Sequence, residues 1–289
     1  MDPTVATLVL FSAVLHPLWN AVIKRAENPE GGFIGLVFML MIFGGAHSLA
    51  AGYDLMSAVK VWPLILLSWG GMTFYGTSLA ITLRRGDLST YYPIIRSSPL
   101  AVIAIGTLFL GESYSPRLLF GIAMVLAGAF GLQYRRGKRL LDDPATLGLA
   151  VLAMCGTGVY SIADSQMMQV IEPPVMFFWV ELLSLPTYVL VFGVINGKEK
   201  SIGDLFFWVR LPLRYLGIGL ICYSSYFMIL TAYSLGGEVA AVTSVRQVSI
   251  PLSVLIGGLL LKEESMTRRL WSSLLLAFGI VVIVLTPAN

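Results

Sequence analysis

The sequence predicts an all-α integral membrane protein of ten transmembrane helices arranged as two inverted five-helix repeats. Three observations carry this reading. Hydrophobic residues make up 57% of the chain and charged residues 12%, with a mean hydropathy of +0.82, whereas a soluble domain is about 25% charged. Apolar stretches recur from end to end, each roughly 20 residues long, enough to cross a hydrocarbon core about 30 Å thick. The chain also resembles itself at an offset of 151 residues, which pairs Gly86 with Gly237, Ser98 with Ser249, Gly106 with Gly257 and Glu112 with Glu263.

The stretches are continuous and rich in Leu, Gly and Ala, so they read as helices rather than as the alternating strands of a barrel. The first five spans are expected near 4–23, 33–52, 62–83, 88–110 and 116–134. The second five are expected near 146–169, 174–195, 212–235, 239–261 and 267–286. The first span lacks a basic leader and a small-residue cleavage site, so it reads as a span rather than a removable signal. Loops are short except RRGKRLLDDPAT (135–146) and NGKEKSIGDLFFWVRLP (196–212). The first of these divides the chain into repeats 1–137 and 138–289 within one membrane domain. Five is odd, so the second repeat enters the membrane opposite to the first. Tyr75 with Tyr226, Arg117 with Arg268 and Gly128 with Gly279 keep the same offset.

Of 19 Lys and Arg, 15 fall on the face that carries the odd-numbered loops, and Lys60 and Arg117 fall on the other. The positive-inside rule puts the basic loops in the cytoplasm and both termini outside. Trp62, Trp208 and Trp271, near helix starts, suit interfacial anchoring. Glycine pairs at 44–45, 70–71 and 257–258, with Gly121, Gly128 and Gly131, allow close helix contact.

The remaining two basic residues, Arg96 and Arg246, lie about eight residues into the fourth and ninth spans, or about 12 Å deep at 1.5 Å per residue. A guanidinium there is costly, by at least roughly 2.5–3.5 kcal/mol. It can grip a carboxylate or phosphonate with two parallel bonds, or it can pair with an acid and clamp helices. Asp164 and Glu181 are the intramembrane acids available for that pairing. Asp164 sits on a polar stripe with Thr157, Tyr160, Ser161 and Met168 at i, i+3, i+4, i+7 spacing. It could accept a substrate ammonium or carry a proton, and Glu181 could carry a proton.

His16, Trp19 and Asn20 share the first span with Pro17, whose missing N–H frees the carbonyl of Ala13. Tyr75 and Tyr226 match across the repeats; Tyr223 precedes Tyr226 by one turn, Tyr92 precedes Arg96, and Gln247 aligns with Arg96. Aromatic walls with hydroxyls suit a partly apolar solute. His16 and His47 have no ligand cluster around them, so no metal or cofactor is expected. Cys155 and Cys222 supply no disulfide framework.

LFLGESYS (108–115), echoed by LLLKEESM (259–266), and HPLWNAVIK (16–24), with its counterpart TGVYSIADS (157–165), resemble the EamA-type members of the drug/metabolite transporter superfamily. The resemblance covers nearly the whole chain. It implies an inverted five-plus-five repeat, a central cavity and alternating access in a multi-pass protein of the cell (inner) membrane. It also implies a small-molecule substrate, frequent export, and no prosthetic cofactor. Members usually keep both termini in the cytoplasm, the reverse of the charge bias here.

The leading expectation is a carrier for a small polar metabolite with an anionic group: an amino acid, carboxylate or organophosphonate. Protons are a candidate coupling ion, and a monomer or homodimer is expected in the bilayer. The competing reading is proton-driven efflux of cationic or lipophilic drugs, which the two arginines oppose unless Asp164 and Glu181 neutralise them. A membrane-embedded enzyme would need a nucleophile–base pair or clustered acids. Here the close acidic pairs, Asp142–Asp143 and Glu263–Glu264, sit among basic residues. No enzyme activity and no nucleic-acid partner are expected.

Overall fold

A computed structural model describes residues 1–24, 26, 28–85, 88–133, 143–196, 202–251 and 266–286. Among them every regular element is helical: α1 (Pro3–Lys24), α2 (Pro29–Ala51), α3 (Trp62–Arg85), α4 (Leu88–Ile95), α5 (Ser98–Phe109), α6 (Pro116–Gln133), α7 (Pro144–Met167), α8 (Pro173–Asn196), α9 (Pro212–Ser234), α10 (Val239–Val245) and α11 (Met266–Val284). Six segments are long and apolar enough to cross a membrane, with α4 and α5 counted as one. This is a multi-pass membrane protein.

Local sequence sets where the helices begin. Proline, whose absent N–H costs nothing in a first turn, opens α2, α6, α7, α8 and α9. Asn28 caps α2 by accepting from the Gly31 N–H at 3.1 Å, and Asp143 caps α7 by accepting from the Thr146 N–H at 3.1 Å. The chain leaves α5 through Gly111 at φ 69° and α9 through Gly236 at φ 82°, a region that costs a residue with a Cβ.

The helices pack chiefly in four pairs: α3 with α7, α6 with α11, α2 with α8, and α1 with α9. Each pair is antiparallel. In α2–α8, Phe33 meets Tyr188 while Gly44 meets Phe177. In α1–α9, the Ser12 and Ser225 hydroxyls lie 3.1 Å apart. Glycines let the backbones touch. A methyl at Gly71 would lie 2.8 Å from the Gly156 carbonyl oxygen, and one at Gly156 2.7 Å from that of Gly71. In α6–α11, a methyl at Gly279 would lie 2.7 Å from the Gly121 carbonyl, and one at Gly128 2.6 Å from that of Ser272. Gly70, by contrast, faces open space, and the 257–258 pair lies outside the described residues.

Two expectations change. The segment 202–210 is not simply loop: it forms a 3-10 helix against α2, tied by Asn28 Nδ2 donating to the Asp204 carbonyl at 3.3 Å. Trp208 on it is buried against Gly35, Phe38 and Tyr215, so it is a core residue rather than an interfacial anchor. Trp271 does stay outward, 68% exposed.

Candidate functional site: an arginine-lined cavity at two helix breaks

The expected fourth span is not one helix. Its hydrogen bonding is α-like up to Arg96, whose N–H donates to the Tyr92 carbonyl at 2.9 Å, then tightens as the Ser97 N–H turns to Ile94 at 2.9 Å. Pro99 explains the break: it has no N–H for the Ile95 carbonyl, and its ring would strike that carbonyl in a continuous helix. The Ser97 hydroxyl patches the gap by donating to the Pro93 carbonyl at 2.7 Å. The ninth span behaves alike. Helix α10 ends at Val245, Arg246–Val248 form a 3-10 turn, and Pro251 follows Gln247 by four residues. Here Ser249 does the patching, its hydroxyl donating to the Arg246 carbonyl at 2.9 Å. Both arginines therefore stand at breaks rather than midway along continuous helices, in corresponding parts of the chain.

The breaks bring the arginines together. Arg96 and Arg246 line one cavity of about 40 Å³ with Gln247, Tyr75, Tyr160 and His16. Thr157, Thr243, Ser98 and Ile95 complete its wall. Arg96 Nη2 donates to Ser249 Oγ at 2.7 Å, which ties one break to the other. Its Nε is buried without an acceptor. The Arg246 guanidinium lies 5.5 Å from the centre of the Tyr226 ring, within cation–π range.

Among the described residues neither arginine forms an ion pair, and the Arg246 guanidinium makes no hydrogen bond. Asp164 is fully buried and accepts from the Ser68 and Tyr226 hydroxyls, one on each carboxylate oxygen. It is joined to Arg246 through Tyr226 and lies within its electrostatic reach, but does not line the cavity. Two hydroxyl donors satisfy a carboxylate without a cation, so the arginine charges stay directed at the cavity.

Other expected site residues fall elsewhere. Tyr223 bonds His47 Nδ1 at 2.8 Å and stacks on Phe227, away from the arginines. Glu181 is buried on α8, within electrostatic reach of Asp164 but off the cavity wall. Trp19 packs edge-on against His16 with its Nε1 buried and unbonded, and neither it nor Tyr92 reaches the wall. The Asn20 side chain lies outside the described residues. Sequence reasoning missed Thr243, Ser68 and Ser98 as site residues. The match of Ser98 with Ser249 across the repeats was the available signal for the last.

A larger cavity, about 450 Å³, lies among the 112–114 and 235–238 turns, Met1, Asp2 and Thr286. Asp2, Glu112 and Glu238 line it together with Met1, which carries the N-terminal ammonium, and among the described residues no Lys or Arg side chain does. The Tyr114 hydroxyl donates to Glu112 there. It belongs to the face opposite the basic loops.

No family model matches the sequence, and no curated protein does. Solved structures do match in fold. One, a crystal structure, superposes with a TM-score of 0.72 over 97% of each chain at 20% identity. That likeness is one of fold alone.

Proposed function

We propose that this chain is a ten-span secondary carrier of the EamA type, in the cell (inner) membrane, that exports a small metabolite bearing an anionic group by alternating access. The observation that carries the reading is the cavity itself: two guanidiniums from two helix breaks share one partly open space with, among the described residues, no carboxylate paired to either. Carriers bind near the midplane at interrupted helices for a physical reason. Only where backbone lines a cavity or is buried in protein can it leave the helix.

The helix pairing supports two inverted repeats, 1–137 and 138–289. Exchanging the repeats turns the α3–α7 pair into α9–α1 and returns α2–α8 and α6–α11 to themselves. The 151-residue offset likewise carries the Gly121–Gly279 contact onto Ser272–Gly128, also a contact. Rocking one repeat against the other would expose the cavity to each face in turn. Export is supported by the acidic lining of the larger cavity on the face opposite the basic loops, which repels a released anion. Buried Asp164, joined to Arg246 through Tyr226, is the candidate carrier of a coupling proton.

A thermal-shift screen of the purified protein against organic acids, phosphonates, amino acids and quaternary amines tests the reading. Stabilisation by anionic or zwitterionic compounds, lost in Arg246→Gln, is expected. Stabilisation by lipophilic cations alone would favour drug efflux and refute it.

A further inference from the structure

Resting on the cavity as the substrate site, we infer that the group bound between Arg96 and Arg246 is a doubly charged oxyanion, of phosphonate, phosphate-monoester or sulfate type, with no ammonium beside it.

Charge comes first. A guanidinium keeps its charge at any accessible pH, and two of them face a cavity in which no described carboxylate pairs with either. A buried charge left without a counter-charge is strongly unfavourable. A monoanion would compensate one arginine and leave the other; a dianion compensates both.

The same geometry argues against a zwitterion. An amino acid's ammonium would find the unpartnered, neutral Gln247 Oε1 there but no carboxylate among the described residues of the wall. Asp164 is already engaged by Ser68 and Tyr226 and is absent from the cavity wall, as is Glu181. An ammonium placed here would sit beside two like charges in a poorly screened interior.

Hydrogen-bonding capacity points the same way. Arg96 Nε is buried without an acceptor, and the Arg246 guanidinium and the Tyr75 hydroxyl donate to nothing among the described residues. The start of α5 also reaches the cavity. Its cap residue Ser97 gives no side-chain bond to the first turn, because the hydroxyl is committed to Pro93, and Ser98 of that turn lines the cavity. Ser98 thus brings the start of a twelve-residue helix to the cavity wall, although Pro99 has no N–H and the Leu100 N–H is taken by the Ser97 carbonyl. These donors outnumber the one unpartnered acceptor found on the described wall, Gln247 Oε1, and call for a group rich in lone pairs. The cavity, about 40 Å³, is about three times the 10–15 Å³ that one water needs, room for a tetrahedral head group.

Calorimetric titration of the purified full-length protein at constant ionic strength tests this with four probes: methylphosphonate, sulfate, acetate and alanine. Methylphosphonate in its dianionic form and sulfate should bind at least about tenfold tighter than acetate, and alanine should give no heat of binding. Lowering the pH until methylphosphonate is monoanionic should weaken it to the level of acetate while leaving sulfate unchanged. Arg96→Gln and Arg246→Gln should each abolish the preference for dianions, whereas Arg96→Lys, which keeps the charge, should retain part of it. Alanine binding as tightly as methylphosphonate would overturn the inference and leave the carrier reading standing. A folded, monodisperse protein that binds none of the four would overturn both.

Discussion

Arg246 lies over the Tyr226 ring, and that ring's hydroxyl holds Asp164, so one tyrosine stands between the cavity's cation and a carboxylate within its electrostatic reach. This arrangement keeps opposite charges apart. Tyr226→Phe retains the platform but removes the hydroxyl, leaving one Asp164 oxygen without a donor. That carboxylate is then expected to turn to Arg246 and neutralise it. Thermal-shift titration with sulfate should show weakened binding in Tyr226→Phe with folding intact; undiminished binding would contradict this role. The sequence made the arginines, Tyr75, Tyr160, His16 and Gln247 visible because intramembrane polar groups are few. It could not show Asp164 turned away, because its choice of partner depends on Ser68, 96 residues distant in the chain.

At the scale of elements, the breaks beside Arg96 and Arg246 shape the site. Pro99→Ala restores an N–H for the Ile95 carbonyl and removes the ring clash, so α4 and α5 should join. Circular dichroism should show unchanged or greater helicity, and anion affinity should fall as Arg96 and Ser98 rotate from the cavity. Unchanged affinity would mean that the break is dispensable. The α3–α7 contact is the complementary case: Gly156→Val inserts bulk where even a methyl meets backbone at 2.7 Å. Overpacking of this kind costs about 1–3 kcal/mol, which should lower the unfolding midpoint and disturb Tyr75 and Tyr160 together. Asp143, which caps α7, supplies a pH dependence. Its bonds from Thr146 hold the carboxyl below its usual range. Its stabilisation is therefore fully present above the ordinary carboxylate range and is lost as pH falls through the lowered value. Asp143→Asn should flatten stability across that acidic window. Span positions were legible from hydropathy: 62–83 was expected where α3 runs Trp62–Arg85, and 146–169 where α7 runs Pro144–Met167. The breaks were not inferred, although Pro93, Pro99 and Pro251 flank the arginines, because apolar composition alone does not register a lost backbone bond.

For the whole molecule, the four antiparallel pairs and the acidic cavity are the basis of the proposed carrier and its proposed direction. The orientation proposed from the bias of basic residues has Arg210 on the cytoplasmic face and Glu112 on the outer one. In a background lacking Cys155 and Cys222, Glu112→Cys should react with an impermeant maleimide added to intact cells and Arg210→Cys should not. The opposite pattern would put the termini inside and reverse the assignment of the acidic cavity. The central claim, that Arg96 and Arg246 hold a transported anion, is tested most directly by counterflow. Proteoliposomes loaded with unlabelled methylphosphonate should accumulate the labelled compound through the wild-type protein and fail to do so with Arg96→Gln or Arg246→Gln reconstituted to equal amounts. Equal accumulation through wild type and both variants would contradict the account.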